Sequence, residues 1–273
     1  MPDGIRLSLR GPLTDLIEID GLTPDRTAGL SAVDIAALPV MIGSRRASVG
    51  DFFSVTGERS DRVQVEGDLR NVDGLGAGTA GGEMVIHGSV GRRAGAGMTA
   101  GWIEVRGDAG DDTGVGMQGG ALRVTGSAGD RLGASAPGAA KGMSGGEIVV
   151  NGSAGRDVAM RLRRGLIVVG GATGANAARA IIAGTLVVFG RTGENAGRGS
   201  KRGSIVALGG IDIPGTYEYS CAYQPTYVRL LLTYLQRRYG LDVASAALDG
   251  TYNRYCGDTA GLGRGEILEL ARV

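Results

Sequence analysis

Glycine recurs at a fixed step through the middle of this 273-residue chain. Gly88, Gly107, Gly126, Gly152, Gly171, Gly190 and Gly209 are separated by 19, 19, 26, 19, 19 and 19 residues, and Gly67 precedes the first of them by 21. The one step of 26 reads as a seven-residue insertion around Ala134 to Ala140. Of the 52 glycines, 37 fall between residues 63 and 209, without the proline or serine that would make the segment a linker. A period of this length points to stacked structural repeats and has to be read before any single element is assigned.

Once the markers are aligned, the residues four places before each glycine are Val63, Met84, Ile103, Leu122, Ile148, Ile167, Leu186 and Ile205. Two places before stand Val65, Ile86, Val105, Val124, Val150, Val169, Val188 and Ala207. Apolar positions two apart describe one buried face of a short β-strand. A further apolar column, Met98, Met117, Met143, Leu162 and Ile181, falls in the tighter half of each unit. No unit of this size can bury its own face. Stacking each strand in parallel on its equivalent in the next unit buries a continuous core and satisfies the backbone. The expected fold is mainly β: a single-chain parallel β-helix of about seven to eight coils with 19-residue repeats. Residues 1–62 are an N-terminal capping segment, 63–209 the glycine-rich β-helix, and 210–273 a C-terminal helix and tail packed on it.

The same periodicity disposes of a competing motif. The stretch Gly114 to Gly120, GVGMQGG, fits G-x-G-x-x-G, the dinucleotide-binding fingerprint. That fingerprint works only where a strand precedes it and a helix follows, because the pyrophosphate rests on the first turn of the helix. Between Gly107 and Ala121 five of the 13 residues are glycine, too many for a crossover helix. The pattern also recurs at Gly76 to Gly81, so it belongs to the repeat and no nucleotide is expected.

The flanks carry their own signals. Ser31 and Asp34 form a candidate capping box ahead of a short helix to Leu38. Behind Pro225, Tyr227, Leu230, Leu231, Tyr234, Leu235 and Arg238 recur at helical spacing, an amphipathic helix of about four turns. The outward column between the two buried ones runs Gln64, Val85, Glu104, Arg123, then Val149, Val168, Val187 and Val206. Its neighbour ends in Phe189 and Leu208. The early units thus show water a polar face, and the late ones an apolar stripe that needs a cover, either the C-terminal helix or a partner protein.

Chemistry-bearing residues are sparse. The chain has one histidine, His87, on the polar early face, and two cysteines, Cys221 and Cys256, 35 apart. That set is too thin for a zinc or iron–sulfur site, and no catalytic, cofactor or metal site is expected within the chain. With 29 basic and 28 acidic residues there is no global charge to draw nucleic acid or an anionic membrane. No signal-peptide pattern and no apolar run of about 20 residues appear, so a soluble cytoplasmic protein with reduced thiols is expected.

The repeat of Gly67 to Gly209 resembles the β-helical domain shared by the C subunit of formylmethanofuran dehydrogenase and the C-terminal domain of the glutamate synthase large chain. The segments LTPDRTAGLSAVDIAALPVMIG (22–43), SVGDFFSVTG (48–57) and GTYNRYCGDTAGLGRGEILEL (250–270) resemble the C subunit of the dehydrogenase. Such subunits occur in two complexes. One is the archaeal tungsten or molybdenum dehydrogenase; the other is the formyltransferase/hydrolase of methylotrophic bacteria, which moves formyl from tetrahydromethanopterin to a methanofuran-type carrier and hydrolyses it to formate. The resemblance implies that catalysis and any metal belong to partner subunits. The arginine-rich composition fits the bacterial complex better, and a free-standing chain argues against the glutamate synthase reading.

The family's carriers bear glutamate chains, which directs attention to the arginines. In the repeat register Arg179 and Arg198 fall one unit apart in one column, and Arg164 and Arg202 two units apart in another. Like charges stacked this closely need solvent, a carboxylate or a bound anion. The four are candidate contacts for a polyglutamate chain or an acidic partner.

Overall fold

The computed structural model describes residues 4–271. Its elements in chain order begin with β1 (Ile5–Leu9), β2 (Ile17–Glu18), α1 (Pro24–Thr27), α2 (Ala32–Ala36), β3 (Pro39–Ile42), β4 (Arg45–Ser48), α3 (Val49–Phe52), β5 (Phe53–Thr56) and β6 (Arg62–Glu66). They continue with β7 (Val72–Asp73), β8 (Ala80–His87), β9 (Ala100–Val105), β10 (Ala121–Val124), β11 (Glu147–Val150), β12 (Leu166–Val169), β13 (Thr185–Val188) and β14 (Ser204–Ala207). The last are β15 (Glu218–Tyr223), α4 (Thr226–Tyr239), α5 (Ser245–Leu248), β16 (Tyr252–Gly257) and β17 (Gly265–Leu270).

The protein is mainly β. Thirteen strands form one mixed sheet in the order β15-β16-β17-β14-β13-β12-β11-β10-β9-β8-β6-β1-β5, beside a second sheet of four, β4-β3-β2-β7. From β6 to β14 the strands are parallel, and their register joins equivalent repeat positions: Ile103 to Leu122, Leu122 to Ile148, Ile148 to Ile167, Ile167 to Leu186 and Leu186 to Ile205. These residues and the column two places on are buried, as are Met98, Met117, Met143, Leu162 and Ile181 opposite them. Alternation at period two therefore sets the pairing register, because a slip by one residue would turn every apolar side chain outward.

Each unit meets the next along more than the strand. Bridges run in parallel from Leu69 to Val90, Ala109, Ala128, Ala154 and Thr173. On another side, Gln118 N donates to Met98 O at 2.7 Å, Arg163 N to Met143 O at 2.8 Å and Lys201 N to Ile181 O at 2.8 Å. The marker glycines bond to one another, Gly126 N to Gly107 O at 2.9 Å and Gly171 N to Gly152 O at 2.8 Å. Side chains reinforce this corner: Asp108 Oδ1 accepts from Ser127 N at 2.7 Å, and Asp111 Oδ1 from Asp130 N at 2.8 Å, each one unit on. Bonds to the neighbouring unit, together with tight turns within each unit such as Met117 N to Gly114 O at 3.1 Å, satisfy the backbone of this glycine-rich segment. The 21-residue first interval leaves a mark. One of its two extra residues is a bulge between Ala80 and Glu83, where β8 pairs with β9.

The flanks do more than cap. β1 lies parallel to β6, with Ile5 opposite Val63, and β17 lies parallel to β14, with Ile267 opposite Ile205. Both flanks therefore lengthen the sheet. The Ser31–Asp34 capping box opens α2, and a second box, Ser48 with Asp51, opens α3. Among the described residues no helix is long and apolar enough to cross a membrane.

Candidate functional site

The outer face of the sheet changes character midway along the stack, and α4 lies over the apolar half. Val149, Val168, Val187 and Val206 are fully buried, and Leu268 of β17 continues their row. They pack with Val228, Leu232, Leu235 and Tyr239, residues spaced four, three and four apart along one face of α4. Phe189 and Leu208 are partly buried at the rim of this cluster. Each buried valine contributes roughly 1.5–3 kcal/mol by leaving water, so the cover is held mainly by apolar area. The packing face takes Leu235, and in part Leu231, from the spacing that begins at Tyr227, but adds Val228, Leu232 and Tyr239 and leaves the rest of that spacing outside. Leu230 is 66% exposed, and Tyr227 and Tyr234 are also exposed, because α4 carries apolar residues on two faces and the sheet takes only one.

A polar clamp fixes the C-terminal end of α4 where the polar and apolar halves meet. The hydroxyls of Tyr234 and Tyr239 donate to the Glu147 carboxylate at 2.8 and 2.6 Å. Trp102 stacks on Tyr239 with ring centroids 6.0 Å apart, and the Arg238 guanidinium lies 5.5 Å from the Trp102 ring centre. Arg123, ion-paired to Glu104 at 3.6 Å, donates through Nη2 to Tyr239 O at 2.9 Å. It thereby satisfies a carbonyl that the helix end leaves free, beside a left-handed Gly240. Burial, and then the neighbouring Glu147, pushes the Tyr239 hydroxyl above the ordinary tyrosine range. Burial alone pushes Tyr252, under α5, up to about 12. Nothing in the repeat alignment singles out Glu147 or Trp102, since both occupy the variable column just before the first inward residue of the strand; the only pointer is Arg123, a charge one step from the valine stripe.

The arginines of the late units are exposed. Arg179 is engaged by Asp157 at 3.1 Å, and Arg198 reaches the Asn195 side chain at 3.4 Å. Arg164 and Arg202 are exposed and make no ion pair within 4 Å among the described residues. Of the four, Arg179 and Arg198 are thus engaged, and Arg164 and Arg202 are not, among the described residues. Beside them, the insertion walls a shallow groove lined by Ala136, Ala139, Lys141, Gln118, Ser144 and Arg163. Among the described residues no three His, Cys, Asp or Glu side chains gather as a metal-binding group, and both cysteines are free thiols. His87 is half-buried at the end of β8.

No family model matches the chain. The C subunit of the formyltransferase/hydrolase complex Fhc of Methylorubrum extorquens is 37% identical over 87 residues, which cover 32% of this chain and 33% of that protein. The C subunit of tungsten-containing formylmethanofuran dehydrogenase 2 of Methanothermobacter wolfeii is 33% identical over 79 residues, 27% of this chain and 29% of the relative. These alignments span about a third of the curated relatives' length. One protein in the crystal structure of the Methylorubrum extorquens formyltransferase/hydrolase complex, solved with methylofuran, matches throughout. The TM-score is 0.89 at 36% identity, covering 98% of this chain and 100% of that one. With sequence and structure in agreement over the whole length, the chain belongs to the family of C subunits found in formyltransferase/hydrolase and formylmethanofuran dehydrogenase complexes.

Proposed function

We propose that the chain is a non-catalytic structural subunit of a cytoplasmic formyltransferase/hydrolase complex, in which tetrahydromethanopterin delivers formyl to a methanofuran-type carrier and partner subunits release formate. The whole-length match to a protein of such a complex carries this reading. The poverty of the chain in histidine and cysteine supports placing metal and catalysis in the partners. The archaeal dehydrogenase complex is the alternative, favoured only by shorter alignments. We infer also that the chain winds as a single parallel β-helix, a reading supported by the repeat-to-repeat register of the strands and the bridges that accompany it. Such a winding is a rigid spacer, suited to holding two active sites at a fixed separation.

The four arginines have a place in this reading as contacts for the carrier's glutamate chain, with Arg164 and Arg202 the donors that make no ion pair among the described residues. Replacing all four by Ser is expected to weaken carrier retention at low salt; unchanged retention would remove the contact. The function itself is tested by purifying the complex through this chain and assaying formate release. Activity with zinc, without tungsten, molybdenum or iron–sulfur clusters, is the expected result. A tungsten or molybdenum cofactor would establish the dehydrogenase instead, and turnover by the isolated chain would refute a purely structural role.

A further inference from the structure

The one break in the 19-residue step builds a groove. Gln118, Ser144, Arg163 and Ile182 hold one position in four successive units: Gln118 N donates to Met98 O at 2.7 Å, Ser144 N to Met117 O, Arg163 N to Met143 O and Ile182 N to Leu162 O, each at 2.8 Å. These four residues line the floor of the groove, and the seven-residue insertion walls it through Ala139 and Lys141. Three steps at the strand spacing of ~4.8 Å make the floor about 14 Å long, running along the stack. The wall is tied to the following unit, because Arg161 Nη1 donates to Ala139 O at 2.8 Å and Gly142 N to Arg161 O at 2.8 Å. The insertion is therefore held in place beside the floor by its neighbour.

Charge at the groove itself selects the sign of an occupant. Lys141 and Arg163 both line it, both are exposed, and neither side chain makes an ion pair or hydrogen bond among the described residues. No acidic residue lines the groove. Around it, residues 161–203 carry eight basic residues against one acidic, Glu194, in a chain whose net charge is only +1. Such a local excess draws a partner of negative charge and orients it.

The remaining lining selects its form. Ala139 and Ile182, with the neighbouring alanines of the insertion, are apolar, and a bare polycarboxylate or phosphate chain would leave them unused. A helix about 10 Å across is too wide for a shallow groove walled by alanine, and a small molecule would lack the enclosure that such ligands need. An extended peptide fits: at ~3.3 Å per residue about four residues span the floor, and alternate side chains can meet its charged and apolar parts. We propose that the insertion groove is the docking site for an extended segment of another subunit, whose acidic side chains meet Lys141 and Arg163 and whose small apolar ones meet Ala139 and Ile182. This site rests on the reading that the chain is part of a multi-subunit assembly.

Lys141 and Lys201 are the only lysines of the chain and both are exposed, so amine chemistry reads the groove with little background. Acetylation of Lys141 is expected to be at least about tenfold slower in the complex purified through the chain than in the isolated full-length chain. Carbodiimide coupling, which joins an amine to a carboxylate without a spacer, is expected to link Lys141 to an Asp or Glu of another subunit. The double variant Lys141→Glu, Arg163→Glu is expected to weaken association by roughly tenfold while the unfolding temperature of the chain stays unchanged. A Lys141 that reacts as fast in the intact complex as in the isolated chain overturns the docking site and leaves the assembly reading standing. Coupling of Lys141 to a non-protein polycarboxylate, or to a second copy of the chain, overturns the subunit segment as occupant. If no other subunit accompanies the chain, the assembly reading falls and the site with it.

Discussion

At Gly107 an added methyl group would stand 2.6 Å from the Gly88 carbonyl carbon and the Ser89 nitrogen of the preceding unit. Gly107 does not adopt a left-handed φ, so glycine is required there for close approach. Gly116 is the converse case: its φ is 66°, with open space where a Cβ would go, and Arg161 and Ala180 hold the equivalent left-handed position in later units. Gly107→Ala is therefore expected to cost more than Gly116→Ala, about 2–4 kcal/mol against about 1–2 kcal/mol for the left-handed strain alone; thermal unfolding of the two variants checks the order. Met117→Asp places a carboxylate in a fully buried column and is expected to abolish the cooperative transition. The marker column was legible in the sequence because its spacing is strict. The reason for it was not, since steric crowding by a neighbouring unit and a left-handed φ both select glycine. Nor does sequence reveal the left-handed corners at Arg93, Asp112 and Arg131, where charged side chains take up the strain and Arg131 pairs with Asp112 at 2.6 Å.

α4 is held by apolar area along its length and by Glu147 at its end. Leu232→Ala is expected to destabilise the chain by about 2–4 kcal/mol through the cavity it leaves, whereas Leu230→Ala, on the exposed face, should leave the unfolding temperature of the isolated chain unchanged. The clamp also predicts alkaline behaviour. Tyr239 and Tyr252 are held above the ordinary tyrosine value in the folded chain, so the stability they contribute is complete below about pH 10 and is lost as pH rises through and beyond it. A pH titration of unfolding is expected to show this loss above about pH 10, and Tyr239→Phe to diminish it. The need for a cover was legible in the valine column, whose four members cannot face water. The helix face that supplies it was legible only in Leu231 and Leu235, because Tyr227, Leu230 and Tyr234 make an equally regular apolar spacing, and only the sheet's geometry adds Val228, Leu232 and Tyr239.

Over the whole molecule, the parallel stack is extended at both ends by strands from the flanks. Neither was visible beforehand: β1 is a five-residue strand far from the repeat, and β17 follows a helix and an antiparallel neighbour, so no period marks them. Their effect is to leave two sheet edges, β5 and β15, of which β15 runs into the N-terminal end of α4. The open strand edges and the exposed outer side of α4 are surfaces left, among the described residues, for other chains to join. Native mass spectrometry of the assembly captured through this chain tests that account most directly. It predicts a heteromeric complex in which the chain is accompanied by the formyltransferase and hydrolase subunits; a chain recovered alone, or only with copies of itself, would contradict it.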